Sequence, residues 1–300
     1  MNKSYEYEVI AMKIGLITWE LTRHTLDEMF AAAAEIGFDQ AQFAFHPWCE
    51  GYENDNWGTL PDNFTPELAK QTREAADRHG IEIPIANGFV NLISPIADQR
   101  HDALYRLEKL AAVCPILGCN KINLCTGSRS HKAMWDRHEE NDTVMAWNDI
   151  CRAVEQALTI AEHYQVYLGL EVEYTNVINS PEKARRLIDD MQSPWLKVVL
   201  DGANLFSRGN AYRKNASEIM KHAFDLLGND VMMVHGKDIK EGEGLDFTYA
   251  GNGIVDFDLM LDELKKLGYH DGIILHGAHN EEELAPSVAF MKKKLAEKGM

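Results

Sequence analysis

The sequence predicts a single-domain α/β fold, a closed (β/α)8 barrel, on three observations. Eight short apolar stretches alternate strictly with eight helical patterns, and such alternation implies a parallel sheet. Eight units within 300 residues match the size of one barrel, about 250 residues or somewhat more. The turn after the first strand, ITWELTRHT, lacks the glycine-rich phosphate-binding patterns typical of a doubly wound open sheet, which is the competing arrangement.

The elements follow in a regular order along the chain. We expect a short N-terminal extension over residues 1–12 and the barrel domain over residues 13–300. The predicted strands span 13–19, 38–45, 81–86 and 120–125, begin at 166, 197 and 231, and end with 272–275. The predicted helices span 26–36, 65–79, 99–118, 144–164, 181–191, 212–227, 257–267 and 281–298, several with a Thr or Ser N-cap or a glycine stop. Two long polar segments, 46–63 and 127–142, follow the second and fourth strands, and loops of that length are often functional.

Composition narrows the class of protein. The formal net charge is −17, which disfavours nucleic acid and anionic membranes as partners because both require a basic surface. No run approaches the roughly 18–20 apolar residues of a membrane span, and the N-terminus lacks the apolar core of a signal peptide. We therefore expect a cytoplasmic protein with neither nucleic acid nor a membrane as its partner.

The cysteines agree with that compartment. The five cysteines are Cys49, Cys114, Cys119, Cys125 and Cys151. Their number is odd and no C-x-x-C pair occurs, so the pattern does not favour a disulfide framework or a cysteine zinc site. Reduced thiols are the expectation.

Four consecutive predicted strands each end in an acidic residue or a histidine. The stretches are VYLGLEVEY, KVVLDGAN, VMMVHGKD and DGIILHG, and the residues are Glu171, Asp201, His235 and His276. The C-terminal ends of barrel strands meet at one mouth, where active sites lie. A carboxylate at the end of a buried strand needs a partner, and a cation is one suitable partner. These four side chains are therefore the predicted metal ligands.

The donor set indicates the kind of ion. Two carboxylates and two imidazoles suit one Mn²⁺, Co²⁺, Fe²⁺ or Zn²⁺ better than Ca²⁺, with Mg²⁺ a further candidate. Glu173 competes with Glu171, since residues two apart on a strand share a face. We favour Glu171 as the ligand because the apolar run ends there, and Glu173 then contacts the substrate or supports the ligands. His279, in an H-x-x-H pattern with His276, is a weaker alternative ligand.

Further candidates for substrate binding follow other strand ends. They are Glu173, Asn204, Lys237, His46, Asn87 and Trp19. Asn204 could bind a sugar hydroxyl, and Lys237 could balance an anion on the substrate. Ordinary structural explanations also exist: a turn residue for Asn204, an ion pair with Asp238 or Glu241 for Lys237, and rim packing for the aromatic side chains.

With these residues in place, the sequence resembles the sugar phosphate isomerase/epimerase family of xylose isomerase-like TIM barrels over about residues 13–298. The resemblance is carried by Glu171 in GLE, Asp201 in VVLD, His-x-Lys-Asp at 235–238 and G-x-G-x-x-D-F-D at 251–258. It implies one divalent metal held by Glu, Asp, His and a final Glu, with a sugar or polyol substrate and a homodimer or homotetramer. Two positions depart from the pattern, since His276 replaces the final Glu and Asn204 replaces the histidine of Asp-x-x-His.

The resemblance also implies an activity. It is that of a divalent-metal-dependent sugar or sugar-phosphate isomerase or epimerase, acting through a metal-stabilised enediolate. Glu171 would be the base, and His276 or Glu173 the second acid. One alternative is a dehydratase, a lyase of a cyclic polyol ketone such as an inosose. Another is a sugar-binding barrel that lost catalysis when His276 replaced the glutamate. The DNA-cleaving members of the family fit the acidic composition least.

Overall fold

Eight parallel strands close into a barrel in the computed structural model, which describes residues 11–45, 60–61 and 64–300. The strands are β1 Ile14–Ile17, β2 Gln40–Phe43, β3 Glu82–Asn87, β4 Lys121–Leu124, β5 Tyr167–Glu171, β6 Leu196–Asp201, β7 Val231–Ile239 and β9 Ile273–Leu275, with a short strand β8 at Phe247–Tyr249. Parallel pairing runs in order from β1 to β7, and β9 closes the ring between β7 and β1. The predicted single-domain barrel is therefore confirmed.

The helices surround the sheet and alternate with its strands. They are α1 Leu26–Ile36, α2 Pro66–Arg78, α3 Ala97–Leu117, α4 Val144–Tyr164, α5 Pro181–Met191, α6 Arg213–Leu227, α7 Phe257–Lys266 and α8 Leu284–Lys298. Thr25 and Glu28 form a capping box at the start of α1, and Gly37 ends that helix with a φ of 101°. None of the described helices is both long enough and apolar enough to cross a membrane.

The segment between β7 and α7 contains a strand that the sequence pattern does not reveal. β7 continues past the barrel rim to Ile239, and this extension pairs antiparallel with β8. Three residues are too few to show a period of two, so the sequence predicts only a loop there. Asp238 stabilises the following turn, because its carboxylate accepts hydrogen bonds from the backbone N–H groups of Gly251, Gly253 and Val255.

The barrel interior is filled by a layer of side chains that supports the mouth. Val199, Met233 and Ile274 belong to one buried interior cluster. Gly169 lies in the same layer, where an added Cβ would come within 2.5 Å of side-chain atoms of Met232 and Val199. Alternate residues on a strand share a face. The residues two positions further along, one layer nearer the mouth, are therefore the four predicted ligands: Glu171, Asp201, His235 and His276.

Candidate active site

The four predicted ligands converge at the C-terminal mouth of the barrel. One donor atom from each of Glu171, Asp201, His235 and His276 lies within 4.8 Å of the others. His276 Nε2 is 2.9 Å from Asp201 Oδ2, and His235 Nδ1 is 3.5 Å from Glu171 Oε1. His235 is fully buried, whereas His276 is partly exposed to the cavity above. The register of β5, β6, β7 and β9 thus brings together side chains that are far apart in sequence.

The environment of His235 fits a divalent metal. Its Nε2 lies 2.8 Å from Gln42 Oε1. Since a carbonyl oxygen can only accept, the ring donates from Nε2, and in the neutral form Nδ1 keeps a lone pair. This buried Nδ1 has no hydrogen-bond partner among the described residues and faces Glu171 Oε1 and Asp201 Oδ2 at 3.5 and 3.8 Å. Three acceptor atoms directed at one point require a cation, which is either a proton or a metal ion.

A layer of buried amides orients these ligands. Gln42 Nε2 donates to Asn87 Oδ1 at 3.0 Å, which fixes the amide that binds His235. Asn123 and Asn204 donate to the two carboxylate oxygens of Glu171, each at 2.9 Å. Gln42 and Asn123 are not among the residues that the sequence predicts for the site. The available signal was a polar residue at an inward position near the end of an otherwise apolar strand.

Gln42 gives a direct test of this orientation. Gln42→Met keeps the volume but removes the acceptor for His235 Nε2–H, so we expect metal affinity to fall by about 10- to 100-fold. Gln42→Glu keeps an acceptor and is the matched control, expected to bind nearly as tightly as the wild type. Metal titration followed by calorimetry measures the metal affinity of both variants. Equal affinities for the two variants would contradict the role of Gln42.

Lys237 is a buried cation beside the ligands. Its Nζ lies 3.1 Å from Asp201 Oδ2 and 2.5 Å from Asn204 Oδ1. It also lies 4.2 Å from the centre of the Phe247 ring. Burial lowers the pKa of Lys237, but the surrounding carboxylates, with Asp201 foremost, more than offset this and raise it. Lys237 is therefore charged at neutral pH.

The negative charges of the cluster are balanced by an equal number of positive charges when no metal is bound. Burial raises the pKa of Glu171, yet the charge of His235 more than offsets this, and the pKa is lowered. The pKa of Asp201 is also lowered, because Lys237, His235 and His276 outweigh its burial. Burial lowers the pKa of His235, but the charges of Glu171 and Asp201 raise it to about 9. Burial and Lys237 lower the pKa of His276 to about 4. Without a metal, two carboxylates thus face two cations, Lys237 and protonated His235.

Metal binding is therefore expected to depend on pH. Below about pH 9 the metal-free His235 carries a proton that a metal must displace, so affinity should rise about tenfold per pH unit from about pH 7 and level off above about pH 9. His276 adds no proton in this range, because its pKa is about 4. Calorimetry in buffers of different ionisation enthalpy should show release of about one proton per ion. Binding with no pH dependence and no proton release would contradict this assignment.

A cavity of about 440 Å³ opens above the ligands. Four aromatic side chains line it: Trp19, Phe89, Trp135 and Phe247. The Phe89 ring centre is 5.7 Å from that of Trp19 and 5.2 Å from that of Trp135, so these rings form a continuous wall. Glu171, Lys237 and His276 also reach the cavity. Aromatic walls with a few convergent polar groups are typical of small-molecule sites.

Glu173 and Thr175 also line the cavity. Glu173 Oε1 is 3.4 Å from Thr175 Oγ1. Burial is the main cause that raises the pKa of Glu173 to about 7. A carboxyl with that pKa exists in both protonation states near neutral pH, so it can donate or accept a proton.

The remaining predicted residues lie in different places. Asn87 is fully buried and contacts Gln42. Trp19 lines the cavity, and His46 lies outside the described residues. His279 is exposed and lies 3.3 Å from Glu283, apart from the four ligands.

Glu20 is a further carboxylate near the mouth. Its Oε1 accepts hydrogen bonds from the backbone N–H groups of Gly277 at 2.5 Å and Ala278 at 3.3 Å. Burial raises its pKa to about 8. Glu20 thereby joins the segment after β1 to the end of β9, next to His276.

A parallel barrel with two carboxylates and two imidazoles at its C-terminal mouth defines a class of (β/α)8 protein with a candidate metal centre. The chain belongs to the xylose isomerase-like TIM barrel family, whose model matches residues 30–294. The family resemblance found in the sequence is thereby confirmed.

The most similar proteins include sugar epimerases. L-ribulose-5-phosphate 3-epimerase UlaE of Escherichia coli (strain ATCC 8739) is 26% identical over 165 residues, which are 53% of this chain and 54% of the relative. The chain thus spans about half the length of the curated relatives it matches. A structure of L-ribulose 3-epimerase has a TM-score of 0.69 at 18% identity and covers 95% of each chain. IolI protein crystallised with a zinc atom has a TM-score of 0.69 at 17% identity, covering 95% of this chain and 97% of that one. Both structures share the fold.

Proposed function

We propose that this protein is a divalent-metal-dependent isomerase or epimerase of a ketose or ketose phosphate. The observation that carries the proposal is the convergence of Glu171, Asp201, His235 and His276 beneath a cavity of about 440 Å³. Family membership supports it, as do relatives named as epimerases of a pentulose and its phosphate.

Glu171, Asp201, His235 and His276 would hold the ion. A divalent cation supplies Lewis acidity, which polarises the carbonyl of a substrate and stabilises the negative charge of an enediolate. Manganese, cobalt, iron and zinc all suit this mixture of carboxylate and imidazole. The similarity to a protein that was crystallised with zinc is consistent with such an ion.

Glu171 is the proposed base. Its lowered pKa keeps it ionised at neutral pH, and its side chain reaches the cavity. Asn123 and Asn204 each bind one of its oxygens, which holds the carboxylate in place while lone pairs remain for a proton. Glu171 would remove the proton from the carbon next to the carbonyl.

The second proton transfer decides the product. Return of the proton to the neighbouring carbon gives isomerisation, and delivery to the opposite face gives epimerisation. Glu173 is the favoured donor, because a pKa of about 7 leaves a fraction protonated at neutral pH. His276, with a pKa of about 4 and a contact of 2.9 Å to Asp201, is less suited to donate.

Proton exchange in deuterated water tests the proposal. Metal-reconstituted protein is incubated with a panel of ketoses and ketose phosphates, and NMR follows the carbon next to the carbonyl. We expect deuterium to enter at that carbon of at least one ketose, together with an epimer or aldose. Loss of water with formation of a double bond would instead establish the dehydratase. Ligand binding without exchange would establish a binding protein.

A further inference from the structure

We infer that the cavity selects an uncharged, unphosphorylated sugar or polyol, an inference that rests on the proposed function and specifies its substrate class. Among the described residues that line the cavity, Lys237 is the one lysine or arginine. Its ammonium group is already committed to Asp201 at 3.1 Å and to Asn204 at 2.5 Å. To pair with Lys237, a phosphate would have to displace its contacts with the buried side chains of Asp201 and Asn204.

Two carboxylates of the lining would repel a phosphate. Glu171 and Glu173 both face the cavity. A phosphate ester carries close to two negative charges and is bound in proteins by arginine, lysine or backbone N–H groups at a helix N-terminus. A dianion placed beside two carboxylates has a high electrostatic cost.

Two arginines of the described loops around the mouth are already held in ion pairs. Arg23 pairs with Glu281 through both guanidinium nitrogens, at 2.6 and 2.8 Å. Arg129 is paired with Asp149, and exposed Lys132 is outside the cavity lining.

The aromatic wall favours a neutral ligand. The Phe89 ring contacts those of both Trp19 and Trp135, and the ammonium group of Lys237 lies over the Phe247 ring. Such rings pack against the C–H faces of a sugar or polyol, and the polar groups beneath them can bind its hydroxyls. Shape and charge thus indicate the same class of ligand.

Matched pairs of ligands test the inference on the wild-type protein. Calorimetry on manganese-loaded protein, without excess free Mn²⁺, compares ribulose with ribulose 5-phosphate and fructose with fructose 6-phosphate. We expect at least one free ketose to bind about 100-fold or more tighter than its phosphate, the effect of an uncompensated buried charge. A phosphate ester that binds as tightly as its free ketose overturns the inference, and so does failure of both free ketoses to bind.

A pair of variants tests whether charge is the cause. Thr175 lines the cavity, so Thr175→Lys adds a cation there, and Thr175→Met adds similar volume without charge. We expect Thr175→Lys to bind the phosphate esters about tenfold tighter than Thr175→Met does. Equal affinities would show that charge does not exclude phosphate, and would overturn the inference.

The same assays separate this inference from the proposed function. If a free ketose binds in preference to its phosphate but undergoes no proton exchange, the proposed function fails and the selectivity stands. If a ketose phosphate is bound and turned over in preference, the selectivity fails and the isomerase or epimerase stands.

Discussion

Replacing Glu171 with glutamine is expected to lower turnover of the accepted ketose by about 1,000-fold or more, the range for loss of a general base. Glutamine keeps the shape of the side chain, and its one carbonyl oxygen can accept from either Asn123 or Asn204, each of which donates to a Glu171 oxygen at 2.9 Å. Its amide cannot accept the substrate proton. Steady-state kinetics and deuterium exchange should therefore both show the loss.

Two controls keep this result interpretable. Metal content measured on the same Glu171→Gln sample separates loss of the base from loss of the ion. Glu173→Gln changes the neighbouring carboxyl and should keep exchange at the carbon next to the carbonyl while product formation falls. Wild-type exchange in metal-loaded Glu171→Gln would refute its role as the base.

Lys237→Met is expected to lower the free energy of unfolding of the metal-free protein by about 3 kcal/mol. The substitution removes the cation that contacts Asp201 at 3.1 Å and leaves two buried carboxylates with His235 alone. A divalent ion neutralises the same carboxylates, so saturating Mn²⁺ should stabilise Lys237→Met more than it stabilises the wild type. Urea unfolding in EDTA and in Mn²⁺ measures both effects.

Lys240→Met is the matched control for this experiment. Lys240 lies just after β7, is only partly buried, and donates to the carbonyl oxygen of Asn252 at 2.6 Å. Its removal should cost about 1 kcal/mol, with no difference between EDTA and Mn²⁺. If the two variants behave alike, Lys237 does not balance the charge of the site.

The ring of strands and the convergence of the four candidate ligands could be predicted from the sequence for a simple physical reason. Strands buried on both faces are short apolar runs, so Glu171, Asp201, His235 and His276 stand out where those runs end. Barrel closure then brings the ends together, and strand alternation, chain length and the lack of a glycine-rich turn after the first strand predict that closure.

The supporting contacts could not be predicted in the same way. The hydrogen bond that His235 donates to Gln42 joins β7 to β2 across 193 positions of the sequence. No local sequence pattern predicts a contact between residues so far apart. The contact of Asn87 with Gln42 could not be predicted either. The sequence places Asn87 at the end of a strand, but no local pattern shows which side chain it contacts. The strand β8 exists because β7 extends beyond the rim, which is a tertiary pairing and not a local preference.

Elemental analysis of the purified, reconstituted protein tests the central claim most directly. The wild type should contain close to one equivalent of manganese, cobalt, iron or zinc, and the Glu171→Gln/Asp201→Asn double variant should contain almost none. That result would establish a metal centre built from the ends of β5, β6, β7 and β9. Wild-type protein that takes up no ion after reconstitution, or a double variant that retains a full equivalent, would contradict it.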